Sequence, residues 1–300
     1  MRGRKIEKKM KKELSILIPT YNCLCSDLVH SLHHIMELEE KKDYGLKYEI
    51  IVADDGSSDK STIEKNSDIR ELSNVNYIIL EENVGRACIR NFLAQQAQYN
   101  WLLFLDGDIM VERTRFIEKY LNTDFRVTVG GLQVYDRNRA YTNNLRYKYE
   151  KKYQSRYGAA EREKNAYKEF HTVNFLIRRD IILEHPFDEN FKHYGYEDVL
   201  FGKRLQESGI PIHHINNPVM MTDFDDNATC VNKIEESLHT LHEFRKELKG
   251  YSTLLKYEWL KPLALPLYYI IGKPIRYNLS GNNPRLFLFN LYKLLYYSKI

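Results

Sequence analysis

Cysteine is scarce in this 300-residue sequence: Cys23, Cys25, Cys88 and Cys230, with no C-x-x-C pair among them. That argues against a disulfide framework, which a chain of this size does not need, and the thiols read as reduced, as in the cytoplasm. Cys23-Leu24-Cys25 reads as filler rather than as a metal clamp. Long apolar runs are missing too. Leu263 to Ile271 is nine residues with a proline inside, far below a membrane span. The opening MRGRKIEKKMKKEL lacks the apolar stretch of a signal peptide and reads as a frayed or helical basic arm. No G-x-G-x-x-G follows the first predicted strand, which argues against a dinucleotide-dependent oxidoreductase. PTYNCLC, which does follow it, is not the glycine-rich phosphate loop of a nucleotidylyltransferase. There is no internal repeat and no low-complexity linker.

Charge is abundant but unevenly spread. The chain carries net +4, yet residues 1–13 hold +5 and residues 246–300 hold +7, which leaves −8 on the body between them. An acidic body with basic ends argues against a nucleic-acid binder, whose basic charge lines the working face. It suits a metal-dependent enzyme whose ends touch an anionic surface.

Apolar runs alternate with helical stretches through the first half. Strands are predicted at Leu14–Ile18, Tyr48–Ala53, Tyr77–Leu80 and Trp101–Leu105, with helices at about 27–40, from about 59 to 72, and after Gly85. Strands separated in this way pair in parallel through right-handed crossovers, so the fold class is α/β, a doubly wound, mostly parallel sheet flanked by helices. The second half is less regular. Arg126–Tyr135 reads as a strand pair or one bent strand, and residues 137–169 as a helix or a mobile flap. His171–Arg178 and Ile210–Ile215 read as strands; Asp198–Ser208 and Asn232–Leu248 read as helices. A boundary near residue 250 separates a basic, helical C-terminal extension.

The densest chemical signal is Trp101-Leu102-Leu103-Phe104-Leu105-Asp106-Gly107-Asp108. A buried strand ends abruptly in two carboxylates around a glycine, and open α/β sheets bind ligands at the carboxyl ends of their strands. Two hard oxygen ligands there suit Mg²⁺ or Mn²⁺ shared with substrate phosphates. A solvated turn would have the same composition.

The order of motifs is more specific than any one of them. PTYN after the first strand, VADDGSSD after the second, ENVGRACIRN before FLDGD, then TVNFLIRRD and YGYEDVLFGKRL, resemble an inverting family 2 glycosyltransferase with the GT-A fold. The resemblance spans roughly residues 14–222, and its second part is similar to the carboxy-terminal segment of galactosyltransferase-type catalytic domains. It implies a GT-A domain over 14–248, with a nucleotide-binding half (14–110) and an acceptor-binding half (111–248), between the basic arm 1–13 and the extension 249–300. It implies transfer of a sugar, from a UDP-sugar in the first instance, to a hydroxyl of a glycan or lipid-linked acceptor in bacterial cell-surface polysaccharide synthesis. The other reading, from a different class, is a catalytically silent sugar-nucleotide binder or scaffold.

The resemblance also implies roles. Pro19 and Tyr21 would wall the nucleotide pocket, where a tyrosine ring stacks on a base while its hydroxyl stays wet. Asp55 would accept a hydrogen bond from the base, since a carboxylate only accepts. Arg86 and Arg90 sit one turn apart near a helix start, where an arginine would meet the donor's phosphates or base edge or simply lie on the surface; Arg86 is the candidate. Asp106 would approach the ribose and the Mn²⁺ or Mg²⁺ that Asp108 coordinates. Asp198 would be the general base, with Glu197 orienting the acceptor; favourable charge at a helix start is the plainer role for both.

One departure stands out. Relatives of this kind often carry a metal-binding histidine just after Asn-Pro-Val, and this sequence has Met220-Met221-Thr222-Asp223 there. A thioether is a poor ligand for a hard cation. His213, His214 and Asp223 are the candidate substitutes. Leu286–Tyr297 reads as a helix lying on a membrane or packing on protein. The expected location is the cytoplasm, with the inner face of the membrane as the candidate docking site for the tail.

Overall fold

The computed structural model describes residues 10–42, 45–112, 115–135 and 141–300. Most of the basic arm 1–13, and the start of the predicted flap, lie outside them. In chain order the strands are β1 (Glu13–Thr20), β2 (Lys47–Asp54), β3 (Val75–Ile79), β4 (Trp101–Leu105), β5 (Ile109–Met110), β6 (Val127–Val129), β7 (Leu132–Val134), β8 (Asn174–Arg178), β9 (His213–His214) and β10 (Val219–Met221). The helices are α1 (Ser26–Lys42), α2 (Lys60–Asn66), α3 (Arg86–Gln96), α4 (Phe116–Leu121), α5 (Leu145–Tyr153), α6 (Ala159–Glu163), α7 (Arg179–Glu184), α8 (Glu197–Glu207), α9 (Asn227–Glu243), α10 (Lys261–Ser280) and α11 (Phe287–Lys299).

The main sheet runs β3-β2-β1-β4-β8-β6-β9. Its first four strands are parallel, and β8 is antiparallel to both β4 and β6. Both faces of β1 are buried, so its residues divide between two cores. Leu14, Ile16 and Ile18 pack with Leu28, Leu32 and Met36 of α1, while Leu17 packs with Ile89 and Leu93 of α3. β4 divides in the same way, Leu103 and Leu105 to one side, Leu102 and Phe104 to the other. Phe104 stacks on Phe175 of β8 at 4.8 Å.

The chain steps outward from β1 to β2 to β3, then returns to place β4 on the other side of β1. Strand order therefore reverses between β1 and β4, and crossovers diverge there to leave a crevice at the strands' carboxyl ends. Thr20-Tyr21 and Asp106-Gly107-Asp108 are the residues delivered to it.

The irregular half departs from its predicted elements for local reasons. Arg126–Tyr135 is neither one pair nor one bent strand: Gly130-Gly131 split it, sending β6 to the main sheet and β7 to a second sheet, β5-β10-β7. Gly131 has φ +92°, and a β-carbon on Gly130 would collide with the Tyr120 hydroxyl and the Asn174 amide. Of Ile210–Ile215, only β9 is strand. α9 starts five residues before its predicted first turn because Asp226 caps it, accepting from Ala228 and Thr229 N–H at 2.8 and 3.0 Å. α10 and α11 pack with Cys230 and Val231 of α9 and Leu145 of α5 around a common apolar cluster. No described helix is long and apolar enough to cross a membrane.

Candidate functional site

The crevice is built from three loops and one helix start. β4 ends at Leu105, and the Asp106 amide donates to Val173 O at 3.1 Å, just before β8. Antiparallel pairing of Leu105 with Asn174 thus brings the His171–Val173 turn alongside the first carboxylate of Asp-Gly-Asp. Asn174, fully buried, fixes that turn: its Nδ2 donates to Gly131 O and Asn217 O, and its Oδ1 accepts from Tyr120.

Arg90 organises the floor. It is 2% exposed, its Nη2 donates to Asp106 Oδ1 at 2.9 Å, and its Nη1 donates to Glu197 Oε1 at 3.3 Å. One guanidinium therefore joins the Asp-Gly-Asp turn to the first residue of α8. Arg86, one helical turn earlier, lies over the Tyr194 ring at 4.7 Å. Desolvation opposes its charge, but Tyr194, Asp106, Glu197 and Asp108 together keep it firmly protonated.

The carboxylates sit in unequal surroundings. Burial and the charge of Asp198 push Glu197 above the ordinary range, against the pull of Arg90 and Arg86. Asp108 reaches solvent, yet crowding by protein and the charge of Asp106 push its carboxyl up as well. Asp198 goes the other way. Burial would raise it, but His171, whose Nδ1 is 3.5 Å from Oδ2, and the Val199 N–H hold it below the usual range. His171 is raised in turn, its desolvation outweighed by Asp198. A carboxylate that stays ionised beside a neighbour that tends to keep its proton is an arrangement able to accept a proton from a substrate hydroxyl.

α8 starts from strained backbone: Gly195 has φ +97° and Tyr196, a non-glycine residue, φ +68°. α9 holds this turn. Glu236 accepts from the Tyr194 N–H at 3.0 Å, Thr240 Oγ1 donates to Tyr194 O at 3.0 Å, and a β-carbon on Gly195 would lie 2.9 Å from that of Ser237.

Pro19 and Tyr21 lie at the end of β1, with Tyr21 about half exposed beside the crevice. Asp55 is buried, and its two oxygens accept from Val84 and Gly85 N–H at 2.8 and 3.1 Å, tying the Asn83-Val84-Gly85 turn to β2. Each oxygen keeps a second acceptor site for a ligand. Asp54 is wholly buried, accepting from Ser57 N–H and the Tyr77 hydroxyl. Arg86, Asp106, Asp108, Glu197 and Asp198 share one electrostatic neighbourhood.

Two residues of this neighbourhood are not among the candidates chosen from the sequence. Arg90 was visible as the i+4 partner of Arg86, and helical periodicity alone does not say which of the two faces the sheet. His171 opens a predicted strand with no feature that sets it apart from the other histidines; only the β4–β8 register brings it to the site. Of the substitutes for a metal-binding histidine, His213 stacks on Phe125 at 3.6 Å and His214 abuts Arg162, where burial pushes it down to about 4. Asp223 differs. Met221 pairs with Ile109, so β10 runs beside the Asp-Gly-Asp turn, and Asp223 acts on the Cys23 thiol together with Asp106 and Asp108. Burial, then those carboxylates, push that thiol up to about 12.

No group of three or more His, Cys, Asp or Glu among the described residues forms a metal site by itself. Two carboxylates, one already paired with Arg90, are hard oxygen ligands that would fit a divalent cation only if further ligands came from outside the chain.

A model of the family "Glycosyl transferase family 2" matches residues 15–185. Over 116 residues the chain is 28% identical to the teichoic acid poly(glycerol phosphate) polymerase of Staphylococcus epidermidis, covering 37% of this chain and 15% of that protein. The chain spans less than half the length of the curated relatives it matches. Among solved structures, S. aureus TarS 1–349 in complex with UDP matches with TM-score 0.51 at 17% identity, covering 95% of this chain and 89% of that one. Mannosyltransferase PcManGT from Pyrobaculum calidifontis, in complex with GDP-Man and Mn²⁺, matches with TM-score 0.54 at 16% identity, covering 95% and 84%. At such identity the likeness establishes the GT-A fold and nothing finer. With the family model spanning more than half of its length and the family's motifs gathered around one crevice, the chain belongs to glycosyl transferase family 2.

Proposed function

We propose that this protein transfers a sugar from a UDP-sugar to a hydroxyl of a glycan or lipid-linked acceptor, with inversion at the anomeric carbon, in cell-surface polysaccharide synthesis. The carrying observation is the Arg90 clamp. It holds Asp106, on the donor side, and Glu197, next to the candidate base, at 2.9 and 3.3 Å from one guanidinium. In this reading residues 14–110 bind the nucleotide: Tyr21 stacks on the base, Asp55 accepts from it, and Arg86 meets the diphosphate. Asp106 and Asp108 would hold Mn²⁺ or Mg²⁺, which would supply positive charge to offset that gathering on the departing diphosphate.

Asp198 takes the proton of the acceptor hydroxyl as its oxygen attacks the anomeric carbon from the face opposite the diphosphate. A single base suffices for direct displacement, since no covalent sugar intermediate needs a protein nucleophile. Glu197, pinned by Arg90, orients the acceptor. The proposal is tested by incubating the purified protein with a panel of sugar nucleotides, with Mn²⁺ and with chelator. Metal-dependent release of nucleotide from one donor is expected. Tight binding without turnover of any donor would favour the silent binder, the reading to which Met221 lends weight.

A further inference from the structure

α10 is apolar on two sides, and only one of them is covered. Ala264, Ile275 and Leu279 pack against α9 and α11. The opposite side carries Leu263, Pro266, Leu267, Ile270, Pro274 and Tyr277, at the i, i+3, i+4, i+7 spacing of one helical stripe. Leu263 is 72% exposed, Ile270 71% and Tyr277 84%, and Trp259, just before the helix, is 71% exposed. Isolated exposed apolar residues need no explanation, but a continuous stripe four turns long does.

The net charge of the segment that carries the stripe indicates what covers it. From Trp259 to Ile300 there are six Lys or Arg and no Asp or Glu. Arg276 is engaged by Glu235 of α9, while Lys273 stands exposed beside the stripe. A second copy packing the same face against this one would bring two sets of positive charge together. An anionic surface would be attracted by that charge and would take up the apolar side chains. Tryptophan and tyrosine next to Leu and Ile, with lysines at the edge, are the side chains that settle at the boundary between headgroups and acyl chains.

We propose that the Trp259–Tyr277 face docks on an anionic phospholipid bilayer, lying in its surface with the lysines among the headgroups. α9 carries both the lipid-facing layer and the Tyr194-Gly195-Tyr196 turn, so docking places the start of α8 on a layer anchored to the membrane. The proposal stands whether or not the site transfers sugar.

Removing residues 251–300 is not a clean test, because it would uncover Val231, Leu238 and Leu241 of α9. The experiment uses the full chain and the variant Leu263→Gln/Ile270→Gln/Tyr277→Gln, whose changes lie on the open side. Each is sedimented with phosphatidylcholine vesicles and with vesicles containing phosphatidylglycerol, at low and high salt. The unaltered chain is expected to sediment with the anionic vesicles, less so as salt rises, and Trp emission is expected to shift to shorter wavelength as Trp259 enters lipid. The variant is expected to bind at least about tenfold more weakly with an unchanged thermal midpoint. Equal binding by the variant, binding that ignores lipid charge, or neither sedimentation nor a Trp shift at low salt would overturn the proposal. So would a concentration-dependent dimer, abolished in the variant, from a protein that ignores vesicles; that result assigns the face to a second copy.

Discussion

Replacing Arg90 by methionine tests whether one buried guanidinium couples the two halves of the site. Methionine keeps the unbranched stem of the side chain out to about the Nε position and loses the guanidinium, which lies 5.9 Å from the Phe187 ring. What disappears is the positive charge between Asp106 and Glu197. Asp106 has a side chain 23% exposed and can take up water, whereas Glu197 is 6% exposed and would be stranded. Removing one partner of a buried pair costs about 3–5 kcal/mol, largely because the remaining charge is left in a poor medium. Domain stabilities are only about 5–15 kcal/mol, so the loss is large but compatible with folding.

The loss should depend on pH, and its sign follows from Glu197. Burial and Asp198 already hold its carboxyl above the ordinary range, with Arg90 opposing them. Without Arg90 it rises further in the folded state. A carboxyl raised on folding favours the folded state fully below its unfolded value, and that contribution is lost as pH climbs through the folded value. Each further tenfold in proton affinity adds about 1.4 kcal/mol to the loss at neutral pH. The gap between parent and Arg90→Met should therefore be small near pH 5 and widen toward pH 8. Urea unfolding of both proteins at the two pH values, with chelator present, measures it. The double variant Arg90→Met/Glu197→Gln removes the stranded charge and should regain about 1–2 kcal/mol at pH 8. A gap below about 1 kcal/mol, or one that is the same at pH 5 and pH 8, would refute the clamp.

Three further outcomes follow from the site. Asp108→Asn should reduce the gain in UDP affinity that Mn²⁺ or Mg²⁺ brings while leaving the fold intact; calorimetric titration with metal and with chelator decides it, and an undiminished metal effect counts against Asp108 as a ligand. Asp198→Asn should lower transfer to a verified acceptor by about two to four orders of magnitude with donor binding nearly unchanged, and near-normal transfer removes Asp198 from the mechanism. In His171→Gln the Asp198 carboxyl loses the neighbour that holds it low, so the acid limb of kcat/KM against pH should move to higher pH; an unmoved limb would mean that His171 does not tune the base.

How far the sequence could be read differs between the halves for physical reasons. β1, β2, α3 and β4 follow from contiguous apolar runs that stop near Thr20, at Asp54 and around Gly85, because each element is buried by its immediate neighbours in a sheet of sequential crossovers. That regularity also carried the Asp-Gly-Asp turn to the crevice. The second half is set by contacts distant in sequence. Gly130 is demanded by Tyr120 and Asn174, 44 residues beyond it, and the side chains of the two-residue β9 meet Phe125 and Arg162, both distant in sequence. No local pattern encodes such pairings.

The site residues divide along the same line. Asp106, Asp108, Glu197 and Asp198 stand out because carboxylates beside glycine or at a helix start break the surrounding pattern. Arg90 and His171 do not, since their meaning lies in the partner each one meets. Arg90 meets Glu197 across 107 residues and His171 meets Asp198 across 27, both through the placement of α8 against β4 and β8. α8 is itself held by α9 through the Tyr194 turn, and α9 is covered by α10 and α11. α10 and α11 are thus an outer layer behind the elements that hold Asp198.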